Sequence, residues 1–257
     1  MITFSIITVT YNAEQFLPRT IESVRSLDYP HIQHIIVDGA SKDSTLDIAR
    51  SYKQDCSDRY VIQIQSEPDR GLYDAMNKGI GLATGDYVIF MNAGDCFHAP
   101  DTLSKTAASI GIKDGTRNLP AVIYGDTDVM DNEGNYLFRR RLTPPDKLNW
   151  KSFRWGMLVC HQSFYCRSDI ARQYSYDLTY RHSGDIDWCL RVMKHASSKG
   201  LTLHNTHLTL TNYLREGDST INHRASLNER FCIMKKHYGL FQTIVLHIWF
   251  VFRMLVK

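Results

Sequence analysis

The chain has 257 residues, 43% hydrophobic and 22% charged, which allows one large folded domain and excludes bulk disorder. A net charge of +3 is too small to argue for nucleic acid on its own. The six cysteines, Cys56, Cys96, Cys160, Cys166, Cys189 and Cys232, form no CxxC pair and no zinc-type His/Cys spacing, so they read as reduced thiols of a cytoplasmic protein.

Short β-rich runs alternate with helical patterns through the first hundred residues. Strands are expected over 4–9, 32–37, 60–65 and 86–91, and helices over 13–27, 44–52 and 72–83, with Asn12 as the cap of the first helix. The second half is less regular. Strands are expected over 121–128, 136–141 and 162–166, with a turn at 131–134 and a loop over 143–155. Helices follow over 185–195 and 224–238. Residues 240–256 place Phe241, Ile244, Val245 and Ile248 on one side of a helix and Gln242, Thr243 and His247 on the other, the pattern of an interfacial membrane helix too interrupted to span a bilayer. The N-terminus lacks the basic region and cleavage site of a signal peptide.

Alternating strands and helices predict an α/β fold with a mostly parallel central sheet flanked by helices, and binding sites at the carboxyl ends of its strands. Three aspartates fall there. Asp38 follows the second strand, Asp69 the third and Asp95 the fourth. Any one of them is equally a helix cap or a turn former. Three together at one sheet edge would repel unless a cation neutralised them, and a divalent ion with oxygen ligands serves that end.

Four ordered segments carry a family resemblance: Ser5-Ile-Ile-Thr-Val-Thr-Tyr-Asn12, Ile36-Val-Asp-Gly-Ala-Ser-Lys-Asp-Ser-Thr45, Glu67-Pro-Asp-Arg-Gly-Leu-Tyr-Asp-Ala-Met-Asn-Lys-Gly79 and Gly85-Asp-Tyr-Val-Ile-Phe-Met-Asn-Ala-Gly-Asp95. The chain resembles the family-2 glycosyltransferases of the GT-A nucleotide-diphospho-sugar transferase fold, in wording close to the colanic-acid and exopolysaccharide type. That resemblance implies a GT-A domain over 1–220, with a nucleotide-sugar half over 1–100 and an acceptor half over 101–220, followed by a C-terminal helical extension over 221–257. It implies an inverting hexosyltransferase-like enzyme that moves a sugar from a nucleotide-diphosphate sugar to an acceptor hydroxyl in exopolysaccharide, capsule or O-antigen assembly. The implied donor is a UDP-sugar first, the acceptor a saccharide on a lipid carrier, and the place the inner face of the cell membrane.

By the same resemblance, Thr8, Tyr11 and Asn12 line the nucleotide pocket and Asp38 bonds the base. Asp69, Arg70, Asn77 and Lys78 lie near nucleotide and diphosphate, and Asn92 and Ala93 near the ribose. Many relatives carry more carboxylates in the fourth segment. Here Asp95 is the only one, left to hold Mg²⁺ or Mn²⁺. Asp185, in the Ser183-Gly184-Asp185-Ile186-Asp187 stretch, aligns with the catalytic base, and Asp187 reads as a first-turn residue favoured by the helix dipole. His161 and Gln162 shape the acceptor side, and Arg215 stands where relatives place a histidine, as a fork for diphosphate. Arg139-Arg140-Arg141 reads as a solvated edge strand or an anion contact.

Rival readings fit less well. There is no GxxxxGK[ST] and no GxGxxG after the first strand, and the position of a nucleotidyltransferase's Gly-rich loop reads Tyr11-Asn12-Ala13-Glu14. A non-catalytic nucleotide-sugar-binding module stays open, because the metal motif is thin.

Overall fold

The computed structural model describes residues 1–56, 58–111, 118–215 and 223–255. The first half is built as the periodicity expects. Strands β1 (Phe4–Thr10), β2 (Ile32–Asp38), β3 (Val61–Ser66) and β4 (Tyr87–Phe90) pair in parallel in the order β3-β2-β1-β4. β1, β2 and β4 are buried throughout because helices cover both faces. Alternate residues make the division. Ile35 and Val37 join Met76 and Ile80 of α3 (Leu72–Leu82) in one core. Ile36 packs with Leu17 and Ile21 of α1 (Leu17–Arg25) and Ala49 of α2 (Thr45–Asp55) in another.

The second half mixes strand directions. It contains β5 (Cys96–Phe97), α4 (Thr102–Ile110), β6 (Val122–Met130), β7 (Tyr136–Arg139), β8 (Phe164–Arg167), α5 (Ser168–Ala171), α6 (Gly184–Ser198) and β9 (Leu203–Leu214). Helices α7 (His223–Tyr238) and α8 (Leu240–Leu255) follow. The sheet continues β4-β8-β6-β9-β5. β8 runs antiparallel to both its neighbours, so β6 and β9 regain the direction of the first four strands. The carboxyl ends of β1, β2, β4, β6 and β9 therefore share one edge. The parallel expectation holds where strand–helix–strand crossovers exist, and the antiparallel pairings enter where they do not.

Two expectations are corrected. The first helix begins at Leu17, not residue 13, and Asn12 does not cap it. Asn12 adopts a left-handed φ of 48° and its Oδ1 accepts the Lys42 amide at 2.9 Å, so the chain turns through Ala13 before the helix starts at Leu17, with Pro18 in its first turn. β9, twelve residues long, had no counterpart in the sequence reading. A bulge around His207, with φ 56°, breaks the period-2 pattern that would have revealed it.

α7 is bolted to the start of α6. Glu229 accepts the backbone amides of Arg181, His182 and Ser183 at 2.7, 2.9 and 2.8 Å. Asp187, fully buried, takes Arg191 Nε at 2.6 Å, His237 Nε2 at 2.8 Å and Lys236 Nζ at 3.1 Å. Burial alone would raise the Asp187 carboxyl, but the hydrogen bonds from His237 and Arg191 hold it well below the usual carboxylate range. Asp187 is thus the first-turn residue expected and, beyond that, a clamp between two helices. The boundary expected at 220/221 falls outside the described residues. On α8, Thr243 and Leu246 turn inward while Phe241, Ile244, Val245 and Ile248 stay 82%, 43%, 50% and 65% exposed. Among the described residues no helix is long and apolar enough to cross a membrane.

Arg140 is also not solvated. Its guanidinium donates to the carbonyls of Leu142 at 2.8 Å and Met157 at 2.7 Å, tying the irregular loop to β7, and Arg139 pairs with Asp126.

Candidate active site

The shared edge opens as a cavity of about 460 Å³ above β1 and β2, lined in part by Thr10, Tyr11, Gly39, Asp69, Gly71 and Leu72. That size suits a small-molecule ligand. Gly39 lets the Asp69 and Tyr11 side chains approach closely. A Cβ there would lie 2.5 Å from Asp69 Oδ2 and 3.3 Å from the Tyr11 ring. Tyr11 is 64% exposed at the mouth, and Asp69 Oδ1 accepts the Gly71 amide at 2.8 Å, shaping the turn into α3.

Asp38 stands in register with Thr10 and Ser66 on the flanking strands. It is fully buried and accepts from Thr10 Oγ1 at 3.2 Å, Ser66 Oγ at 2.7 Å, Ser41 N at 3.1 Å and the Ser41 hydroxyl. Four donors use a carboxylate's ordinary acceptor capacity. Asp38 therefore clasps three strand ends together. Asn12 reinforces the clasp, its amide donating to Ser41 Oγ at 2.8 Å.

The expectation that Asp38, Asp69 and Asp95 share a neutralising cation is corrected. Hydroxyl and amide donors satisfy each separately, and among the described residues no three His, Cys, Asp or Glu side chains gather as a metal site. Three residues expected against the nucleotide have partners within the protein. Thr8 Oγ1 bonds His34 Nε2 at 3.0 Å inside the sheet, and His34 continues to Tyr52 at 2.9 Å. The Asn77 amide grips both backbone groups of Tyr176, at 3.1 and 2.7 Å. Lys78 Nζ braces the β3–α3 loop through the Pro68 carbonyl and Glu67, both at 2.9 Å. Arg70 pairs with Asp74 at 2.9 Å while its side chain stays 75% exposed.

Asp95 closes the β4 end. It is 3% exposed, and its Oδ1 accepts the Leu214 amide of β9 at 2.9 Å and its Oδ2 the Gln162 side chain at 2.7 Å. Burial pushes its carboxyl up to about 7, against those hydrogen bonds, which pull it down. Gln162 is held in turn by the Cys160 thiol at 3.0 Å. The turn from residue 92 to 95 also buries Asn92 Oδ1 without a hydrogen-bond partner among the described residues. An orphaned amide oxygen and, three residues on, a carboxylate with unused lone pairs are oxygen donors of the kind a hard cation takes when water and phosphate oxygens complete its shell. Ala93 lies in that turn, half-buried. Arg215 lies just past β9, where its amide donates to the Met130 carbonyl at 3.1 Å and its guanidinium sits 6.0 Å over the Phe138 ring.

Asp185 lies in the first turn of α6, half-buried. Burial raises its carboxyl, opposed by the charge of Arg230 on α7 and by hydrogen bonds from Ile186 N and Tyr73. Both bonds end on Oδ1, at 2.9 and 3.3 Å. No hydrogen bond from a described residue reaches Oδ2. His161, expected at the acceptor side, is a core ring. It stacks on Phe90 at 4.7 Å, bonds the Tyr176 hydroxyl at 2.5 Å, and is kept neutral by burial, with its pKa lowered to about 3. The sequence reading missed Tyr73 and Glu229. Their partners lie 112 and about 47 positions away, and no local pattern announces such pairs.

A cavity at the carboxyl ends of an α/β sheet's strands, with a raised carboxyl on a neighbouring helix, is the arrangement of an enzyme that handles a small-molecule substrate. The Glycosyl transferase family 2 model matches residues 5–173, and the chain belongs to that family; it is a glycosyltransferase. It is 30% identical over 222 residues to a PGL/p-HBAD biosynthesis glycosyltransferase of Mycobacterium bovis, covering 82% of this chain and 76% of that one. It is 27% identical over 202 residues to an amylovoran biosynthesis glycosyltransferase of Erwinia amylovora, covering 75% and 64%. Among solved structures it is similar in fold to S. aureus TarS in complex with UDP-GlcNAc, with TM-score 0.70, 16% identity and coverage of 91% and 64%. The mannosyltransferase PcManGT of Pyrobaculum calidifontis, in complex with GDP-Man and Mn²⁺, is also similar, with TM-score 0.63, 16% identity and coverage of 96% and 70%.

Proposed function

We propose that the chain is an inverting glycosyltransferase that uses a nucleotide-diphosphate sugar, a UDP-sugar first, to glycosylate a saccharide hydroxyl in surface-polysaccharide assembly. One observation carries this reading: Asp185 holds a half-buried carboxylate whose Oδ2 takes no hydrogen bond from a described residue, while Tyr73 ties its Oδ1 to the helix that walls the cavity. A base so placed takes the acceptor's hydroxyl proton on Oδ2 as the acceptor oxygen bonds the anomeric carbon. The bond from that carbon to the diphosphate breaks, and its electron pair leaves with the phosphate oxygen. Base catalysis of this kind contributes roughly 10²–10⁴-fold.

Tyr11, Gly39 and Asp69 bind and orient the nucleoside, and Asp38 keeps the strand ends that carry them in register. Asp95 and Asn92 would hold Mg²⁺ or Mn²⁺, which when bound stabilises negative charge on the leaving diphosphate. Arg215 and Arg70 are the cations we assign to the diphosphate. Polysaccharide assembly is supported by the similarity to the amylovoran biosynthesis glycosyltransferase.

The exposed apolar face of α8 suits a lipid surface and a lipid-linked acceptor. No acidic residue lies on α8, and Arg224, Arg230 and Lys235 are exposed on α7 beside it. Flotation with anionic phosphatidylglycerol vesicles tests this. Binding that Phe241→Asp with Ile248→Asp abolishes supports it, and binding unaffected by that pair removes it.

Turnover of UDP-, GDP- and dTDP-sugars with saccharide acceptors tests the main reading. Asp185→Asn should keep donor binding and lose transfer. A chain that binds donor but turns over none of these sugars would support the non-catalytic module instead.

A further inference from the structure

α3 faces two ways. Gly71, at its N-cap, and Leu72 and Ala75 line the cavity, while Tyr73 between them turns into the core and is 5% exposed. Its hydroxyl donates to Asp185 Oδ1 at 3.3 Å. That is long for a hydroxyl donor, as bonds to catalytic groups are before substrate tightens them. The ring is held flat on Tyr176 at 5.2 Å and 16°, and Tyr176 lies flat on Trp188 of α6 at 5.0 Å and 14°. Gly184, immediately before Asp185, makes the approach feasible, since a Cβ there would lie 2.9 to 3.2 Å from the Tyr73 ring.

We infer that Tyr73 is a positioning residue that joins the wall of the donor cavity to the base, fixing Asp185 Oδ1 so that Oδ2 receives the acceptor's proton. The inference rests on the reading of Asp185 as base. Its alternative is that Tyr73 only fills the core, its ring packed on Tyr176 whatever the hydroxyl does. The groups that act electrostatically on Asp185 and Tyr73 are Arg230 and Glu229 on α7, Tyr176, and the buried thiols Cys160 and Cys189. None of them donates a hydrogen bond to Asp185, so the hydroxyl's contribution is separable from theirs.

The test is the pH dependence of transfer in the full chain, with Tyr73→Phe and Asp185→Asn side by side. Phenylalanine keeps the stack and deletes the donor. A hydroxyl donor favours the charged carboxylate, so its loss raises the base's pKa and moves the acidic limb of kcat to higher pH. We expect that limb to move up by roughly half a unit or more, kcat at neutral pH to fall about tenfold, and donor KM to stay within about twofold. Site-specific 3-fluorotyrosine at position 73, a stronger donor that leaves the fold intact, should move the limb the opposite way. A limb that neither replacement moves, with Asp185→Asn inactive, overturns the positioning role while leaving the base. Full transfer by Asp185→Asn overturns the base reading and this inference with it.

Discussion

Asp95→Asn isolates the cost of holding a charge in the buried turn of residues 92–95. Burial raises that carboxyl from its ordinary 3.8 to about 7. Three pKa units at about 1.4 kcal/mol each give roughly 4 kcal/mol. The sign follows from the protons bound. Between about pH 4 and pH 7 the folded chain keeps a proton that the unfolded chain has released, so stability from this group falls as pH rises through that window and is gone above it. Asparagine has no charge to bury, but it does not fit for free. Its Oδ1 can take the Leu214 amide, which leaves its Nδ2 facing Gln162 Nε2, donor against donor. The Gln162 amide must then flip and release the Cys160 thiol, at about 1 kcal/mol. Relative to the unchanged chain, the variant should be about 1 kcal/mol less stable at pH 4 and roughly 3 kcal/mol more stable at pH 8. Urea unfolding without metal or nucleotide, at four pH values across that range, measures the difference. A difference that stays constant with pH would refute the reasoning. Transfer should move the other way, because the variant lacks the one carboxylate of its turn.

Asp187→Asn leaves Arg191 and His237 facing a neutral group in the α6–α7 contact and should cost about 3 kcal/mol, lowering the melting temperature by roughly 6–12 °C on circular dichroism. Because the Asp187 carboxyl is depressed, its contribution is present above the unfolded pKa and lost only as strong acid reaches the folded one. An unchanged melting point at pH 7 counts against the clamp. Tyr11→Ala should raise donor KM about tenfold with kcat within about twofold, and a fall in kcat with KM unchanged would place Tyr11 in the transition state instead. Chelation of divalent ions should suppress transfer, with recovery on adding Mn²⁺ or Mg²⁺. Full activity in chelator removes the cation from Asp95.

The sequence by itself determined the first half of the fold. Phe4 to Val9 and Ile32 to Val37 are apolar, β-rich runs between helical patterns, and such alternation favours a parallel sheet covered on both faces, as found. It also pointed to the edge where the cavity opens, since Tyr11 and Asp69 each follow a strand by one to a few residues and the topology alone sends strand ends to one edge. What it left open was how each polar group is satisfied, because that depends on partners distant in the chain. Thr8, Asn77 and Lys78 have the residue types of ligand contacts, yet His34, Tyr176 and the Pro68 carbonyl take them up. Asp95 meets Gln162 and Leu214, and Asp185 meets Tyr73, across 67, 119 and 112 positions. Hydrophobic periodicity is a local signal that survives in a linear string. Hydrogen-bond satisfaction is a property of the closed interior, where every buried donor and acceptor must find a partner, and only the folded chain decides which one.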